Sequence, residues 1–292
     1  RDALPEANQV SVAGPEHDSS GKKTLAIGGG GAEVAEWYAF TRNVRDGVNV
    51  VTRDVLAGVW LVVHSPPSKV GMDFAEWGPY TDALDPAAYR MRVERSPDGT
   101  YLYRLEGRPR SSSSEADYVA VLTGKGYGKL DSRHGDGEFT IDLDAAKRLD
   151  PIKHRDDSGT VSITHDLPAE DPSALPRIIA AQVDPAGDAW VRIRSEAKVD
   201  LTGTLSVDAH ADTDESKATA MEDISLVSRW KADGQGRADV SIAGGDLPAA
   251  IPLVTASECW NDSFARVYYS DSVGFKPVFG DSTACVYSDP AL

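Results

Sequence analysis

Residues 89–105 read YRMRVERSPDGTYLYRL, and this stretch decides the fold class. Tyr89, Met91 and Val93 alternate with Arg90, Arg92 and Glu94, the period of two that sends apolar side chains to one face of a strand. Ser96-Pro97-Asp98-Gly99 supplies the chemistry of a tight turn, and Tyr101-Leu102-Tyr103-Arg104-Leu105 resumes the alternation. Two such runs joined by a Pro-Asp-Gly turn predict a β-hairpin.

Downstream the same signal recurs. Strands are expected near 118–123, 137–143, 159–165, 177–183, 189–199, 202–211, 217–231, 236–243 and 264–270. Turns stand at Asp184-Pro185-Ala186-Gly187 and Asp233-Gly234-Gln235-Gly236, and residues 144–149 allow one helical turn. Many consecutive strands without interleaved helices predict an antiparallel sheet and exclude a βαβ fold. Trp190-Val191-Arg192-Ile193-Arg194 and Phe139-Thr140-Ile141-Asp142-Leu143 put charge or hydroxyls on one face, so one face is expected to be wet and the other covered. No internal repeat is visible.

Upstream of the hairpin, residues 32–64 carry helical periodicity. Trp37, Thr41, Val44, Val48, Val51, Val55, Gly58 and Val62 recur at three- and four-residue steps and define one face. Arg42, Arg45, Asp46, Asn49, Arg53 and Asp54 fall mostly opposite. Glu33 and Glu36 suit the positive end of the helix dipole, and Ser65-Pro66-Pro67 stops the helix. Gly47 and Gly58 each weaken it by about 1 kcal/mol, so packing must hold it. It is not a membrane span: Arg53 and Asp54 on one side and His64 with two prolines on the other cut the apolar run far short of the roughly 20 residues required. The expected fold is β-rich (α+β): a large curved antiparallel sheet packed over one long N-terminal amphipathic helix.

Residues 1–31 are rich in Gly, Ser, Pro and charge and end in Gly28-Gly29-Gly30-Gly31. They read as a flexible leader or tether, since such a composition buries too little apolar surface to offset its ordering entropy. Residues 32–292 are expected to form a single β-rich domain. The chain begins at Arg1 without Met, which suggests processing and a tethered N-terminus. Cys259 and Cys285 are expected to form a disulfide that pins the C-terminal segment; a loop of this length gains roughly 3–4 kcal/mol. That pairing, with the acidity, suggests an extracytoplasmic location in the periplasm or at a cell surface.

The 292 residues carry a formal net charge of -16, which opposes binding to nucleic acid or to an anionic membrane. The run before residue 32 looks like a nucleotide-binding turn, but that fingerprint needs a βαβ unit and an acid about 20 residues on. Two acidic-histidine clusters, Asp131/His134/Asp136/Glu138 and Asp208/His210/Asp212/Asp214, carry oxygen ligands suited to Ca²⁺. Neither matches a calcium loop, so solvated turns and strand ends explain both, and no metal or cofactor is expected. G-x-S-x-G is absent, no nucleophile motif surrounds a histidine, and no catalytic residue is assigned.

The aromatics gather on the helix (Trp37, Tyr38, Phe40, Trp60), after it (Phe74, Trp77, Tyr80), and around the cysteines (Trp260, Tyr268, Tyr269). They are core, or some line a cavity between helix and sheet. In outline, a curved sheet packed on a helix resembles the periplasmic carriers of lipids and lipoproteins, although no motif carries residues over. The resemblance implies a non-catalytic, lipoprotein-like protein holding a lipid or other hydrophobic ligand, with Val44, Val48, Val51, Val55 and Trp60 as lining. The alternatives are a structural or adhesive surface component with a protein partner, and a hydrolase built on the 131–138 cluster.

Overall fold

The computed structural model describes residues 10–15, 33–127, 135–167, 177–185, 187–198, 200–212 and 220–292. Among them the secondary structure is mostly antiparallel strand, with two α-helices. The fifteen strands form an open sheet in chain order, each hydrogen-bonded to the next. The chain divides into two compact units, built mainly from Asn49–Glu170 and from Val12–Val48 with Ala189–Leu292.

In the first unit, β1 (Lys69–Val70), β2 (Phe74–Tyr80), β3 (Ala87–Arg95), β4 (Tyr101–Pro109), β5 (Val119–Tyr127), β6 (Gly135–Asp142) and β7 (Thr160–Leu167) run as a meander, followed by β8 (Arg177–Asp184). The turn expected at residues 96–99 joins β3 to β4, closed by Gly99 N–H donating to the Ser96 carbonyl at 3.0 Å. Register explains the core. Trp77, Met91, Leu105, Leu122, Ile141 and Val161 are cross-strand partners in one continuous row over six strands. Val93, Tyr103, Gly124, Phe139 and Ile163 form the next row. Most of these side chains are buried, and each row contributes through cross-strand contact as well as area.

The opposite face carries a charged lattice: Arg90 on Glu106 (2.7 Å), Lys69 and Arg92 on Glu76 (3.0 and 3.3 Å), and Arg90 and Arg108 over the Tyr118 ring. Residues expected to make one helical turn form a helix at Leu143–Leu149, capped by Asp142 accepting from Ala145 N–H (2.7 Å). It packs Ala145, Ala146 and Leu149 on Ala87 and Val121.

In the second unit, β9 (Trp190–Ala197), β10 (Gly203–Ala211), β11 (Glu222–Trp230), β12 (Gly236–Gly244), β13 (Leu253–Trp260), β14 (Arg266–Asp271) and β15 (Phe279–Gly280) continue the meander. Trp230 stands opposite Gly203 and Trp260 opposite Gly236, and a Cβ on either glycine would come within 2.4 Å of the indole. The first unit repeats the device with Tyr103 over Gly124 and Tyr89 over Gly107. An aromatic laid over a cross-strand glycine restores the packing that the missing side chain leaves open.

The long helix, α1, spans Glu36–Val63. Its first turns belong to the second unit, where Ala35 and Tyr38 pack with Ala238 and Trp260, and Tyr38 stacks on Phe264 with ring centroids 4.2 Å apart. Residues 10–15 fall within the segment expected to be a tether. They are largely buried: Ser195 Oγ donates to the Ala13 carbonyl (3.4 Å), and Gly14 lies against Arg45. Gly28 to Gly31 lie outside the described residues.

The expected disulfide is present, Cys259–Cys285, with Cα atoms 5.4 Å apart. It fastens a C-terminal segment onto the second face of β11–β13. Arg237 Nη1 donates to the Tyr287 and Ser288 carbonyls (3.1 and 2.9 Å), and Ala291 N–H donates to Asp239 (2.9 Å). At this end of the strands Arg237, Asp239 and Cys259 are buried on one face and Ala238, Glu258 and Trp260 on the other, so here neither face is wet.

Candidate functional site

The helix α1 has three sectors. Tyr38, Thr41, Val48, Thr52, Leu56, Val59 and Val63 form a buried ridge. Beside it runs a second apolar stripe of Phe40, Val44, Gly47, Val51, Val55, Gly58 and Val62, half-buried or exposed. The charged residues Arg42, Arg53 and Asp54 occupy the remainder. Of the residues expected to line a ligand, Val48 lies on the buried ridge, Val44 and Val55 are half-buried, and Val51 is 38% exposed. Trp60 points elsewhere: it is 52% exposed and stacks on His64 with centroids 3.8 Å apart. The apolar periodicity at 44, 51, 55 and 62 therefore marks the neighbour of the core ridge. Leu56, Val59 and Val63 give the ridge an equally regular period, so spacing alone cannot rank the two.

The stripe is open. A Cβ built on Gly47 or on Gly58 would meet nothing within 4 Å, whereas most strand glycines are already crowded by an aromatic ring or a backbone atom.

One polar atom on the buried ridge stands out. Thr52 Oγ1 lies in a residue 1% exposed and has no hydrogen-bond partner. Thr41, buried on the same ridge, is fully engaged: its hydroxyl lies 2.7 Å from the Trp37 carbonyl and 2.9 Å from Ser228 Oγ. An unmet buried hydroxyl costs about 1–3 kcal/mol.

The helix N-terminus is held by charge. Glu258, fully buried on β13, accepts from Trp37 N–H (2.6 Å) and from Arg266 Nε (2.6 Å). Arg266 also reaches Glu33 and Glu36 (3.0 and 3.1 Å), and Lys276 pairs with Glu36. The Lys276 ammonium beside Glu36 holds that carboxyl below its ordinary value, against the opposing effect of burial. Backbone N–H groups of Lys276, Phe275 and Val273 close on Asp271 and lower it to about 2. The loop so fixed exposes Phe275 and Val278.

Among the described residues the members of the two acidic-histidine clusters do not converge. Asp131, His134 and Asp214 lie outside the described residues. Glu138 pairs with Lys125 (2.9 Å), Asp208 accepts from Ser225 Oγ (2.7 Å), and His210 meets Asp223 (2.8 Å). Asp136 faces Asp166 across β6 and β7. Among the described residues no group of three His, Cys, Asp or Glu converges to hold a metal ion. The Asp136 carboxyl is raised, by partial burial and then by the neighbouring Asp166 charge. The raised value means that ionisation is disfavoured in the fold, so stability is lost as pH rises from the ordinary aspartate range through the folded value. Asp166→Asn is expected to stabilise the protein at pH 7 by roughly 0.3–0.5 kcal/mol, the scale of an exposed charge pair, and not at all below pH 3.8. Urea titrations at the two pH values check this; an equal gain at both would exclude the charge explanation.

No helix among the described residues is long and apolar enough to cross a membrane. No family model, curated protein or solved structure matches the chain.

Proposed function

We propose that this chain is a non-catalytic, extracytoplasmic, lipoprotein-like protein that holds an apolar ligand against α1. The observation that carries the reading is the open side of Gly58 within the stripe of Val51, Val55 and Val62. Interior helix glycines cost about 1 kcal/mol each against alanine, and nothing in the packing around Gly58 requires one. A ligand that needs the space does. The disulfide supports an oxidising compartment.

The test is uptake of N-phenyl-1-naphthylamine, a dye that fluoresces in apolar surroundings. The wild-type chain is expected to take it up saturably, and native mass spectrometry of the freshly purified protein to show a bound lipid. Gly58→Leu fills the open side with a better helix former, so it is expected to cut dye affinity at least tenfold while thermal stability holds or rises. Absence of dye uptake by the wild type rejects the reading.

A second reading, a surface component acting through protein contacts, is favoured by the fixed loop after β14. There Phe275 is 80% and Val278 70% exposed, and a contiguous exposed apolar patch marks interaction surfaces. Cross-linking on intact cells separates the two readings.

A further inference from the structure

The loop between β14 and β15 is built to hold apolar side chains out in solvent. From Ser272 to Gly280 every residue is exposed except Lys276, which is half-buried and pairs with Glu36 at the start of α1. Four of the exposed side chains, Val273, Phe275, Val278 and Phe279, are large and apolar.

Asp271 fixes this loop from below. Its Oδ1 accepts from the Val273 and Phe275 N–H groups (2.9 and 3.0 Å). Its Oδ2 accepts from the Lys276 N–H (3.0 Å) and the Tyr269 hydroxyl (3.1 Å). Pro277 has no N–H to satisfy. Two consequences follow for docking. A loop ordered in advance loses little conformational entropy when it is bound. Backbone donors already paired within the chain are not stripped of water when the loop enters an apolar medium.

Shape and charge then select the partner. Phe275 and Val278 stand clear of the chain, so a folded partner would have to supply the concave surface, whereas a lipid interface is fluid and closes around a projecting ring. Lys276 is the one charged residue between Ser272 and Gly280, and Glu36 neutralises it. A loop without unpaired charge, on a chain of net charge -16, suits a surface that carries no net charge and is repelled by an anionic one.

We propose that residues 272–280 form a docking loop for a zwitterionic lipid bilayer, with Phe275 and Val278 entering the boundary between headgroups and acyl chains. The contact is independent of any ligand held at α1. Stable anchoring takes two signals, so a single loop gives a reversible contact.

The experiment sediments the full chain with vesicles of phosphatidylcholine alone or of phosphatidylglycerol alone, in wild type, Phe275→Ser and the double variant Phe275→Ser/Val278→Ser. Wild type is expected to partition onto phosphatidylcholine, and more weakly onto phosphatidylglycerol. Phe275→Ser is expected to partition about tenfold less, the scale of one aromatic side chain removed from an apolar medium, and the double variant to stay in solution. Thermal midpoints are expected to match wild type, because both side chains are exposed. Wild type that does not sediment with phosphatidylcholine overturns the proposal. Partition that survives both substitutions also overturns it, because the lipid contact then lies elsewhere. A preference for phosphatidylglycerol does the same, by making charge the source of binding. Wild type that ignores vesicles but elutes as a dimer, which Phe275→Ser dissociates, assigns the loop to protein contact instead.

Discussion

Asp239→Ala is expected to destabilise the protein by about 3–5 kcal/mol, the cost of removing one partner from a buried ion cluster. Asp239 and Arg237 are both nearly inaccessible to solvent. One carboxylate oxygen accepts from Arg237 Nε (2.8 Å) and Ser257 Oγ (2.6 Å). The other accepts from Arg229 Nη2 (3.2 Å) and Ala291 N–H (2.9 Å). Arg229 and Arg237 are direct cross-strand partners, a like-charge pair tolerable only with an anion between them. Removing the carboxylate leaves two guanidinium groups facing each other under the C-terminal segment. Asp239→Asn is expected to lose nearly as much, because an amide nitrogen would meet two donors where an oxygen had accepted from both. Urea denaturation gives the free energy. A loss below 1 kcal/mol in Asp239→Ala would show that water reaches the cluster and that the segment does not seal it.

The same cluster shows why part of the fold was hidden in the sequence. The β3–β4 hairpin was legible because its turn residues and its alternation agree, with one face apolar and the other charged. Strand β13 (Leu253–Trp260) obeys no such pattern. Its face toward the helix carries Glu258 between Ala256 and Trp260, and its other face carries Ser257 and Cys259 beneath the C-terminal segment. When both faces are covered and both carry polar groups, the period of two vanishes, and only the register restores it. Strand β2 (Phe74–Tyr80) was obscured differently, by Gly78-Pro79, which reads as a turn yet sits at an irregularity of the β2–β3 pairing.

The helix was legible in extent and less so in orientation. Its end at Pro66-Pro67 and its position in the chain followed from sequence. Two apolar stripes about a quarter-turn apart were both regular, and burial went to the one containing Thr41 and Thr52. The face expected from spacing mixed the two, taking Thr41 and Val48 from the buried ridge and Val44, Val51, Val55 and Val62 from its neighbour. Thr41 earns its place through two hydrogen bonds, and Thr52 through none that the chain supplies. The valine spacing was therefore legible, while the unpaired hydroxyl of Thr52 depended on knowing which side chains are buried.

Glu258→Ala carries the second large effect, about 3 kcal/mol, and it tests whether the helix N-terminus is fixed by charge. Glu258 is inaccessible to solvent and its two oxygens have different duties: one takes the Trp37 amide, an otherwise orphaned donor in the first turn of α1, and the other takes Arg266. In the alanine variant the Trp37 amide has no acceptor, and Arg266 keeps only Glu33 and Glu36, both on the solvent side. Glu258→Gln retains an acceptor for one donor and is expected to lose about half as much. The local consequence separates this account from a simple packing loss. Amide exchange at Trp37 and Tyr38 should accelerate more than exchange in β3–β4, because the first turn of the helix is released before the sheet opens. Uniform acceleration across the chain would instead assign Glu258 to global stability alone, and would leave Tyr38 on Phe264 and Trp260 as what holds the helix start in place.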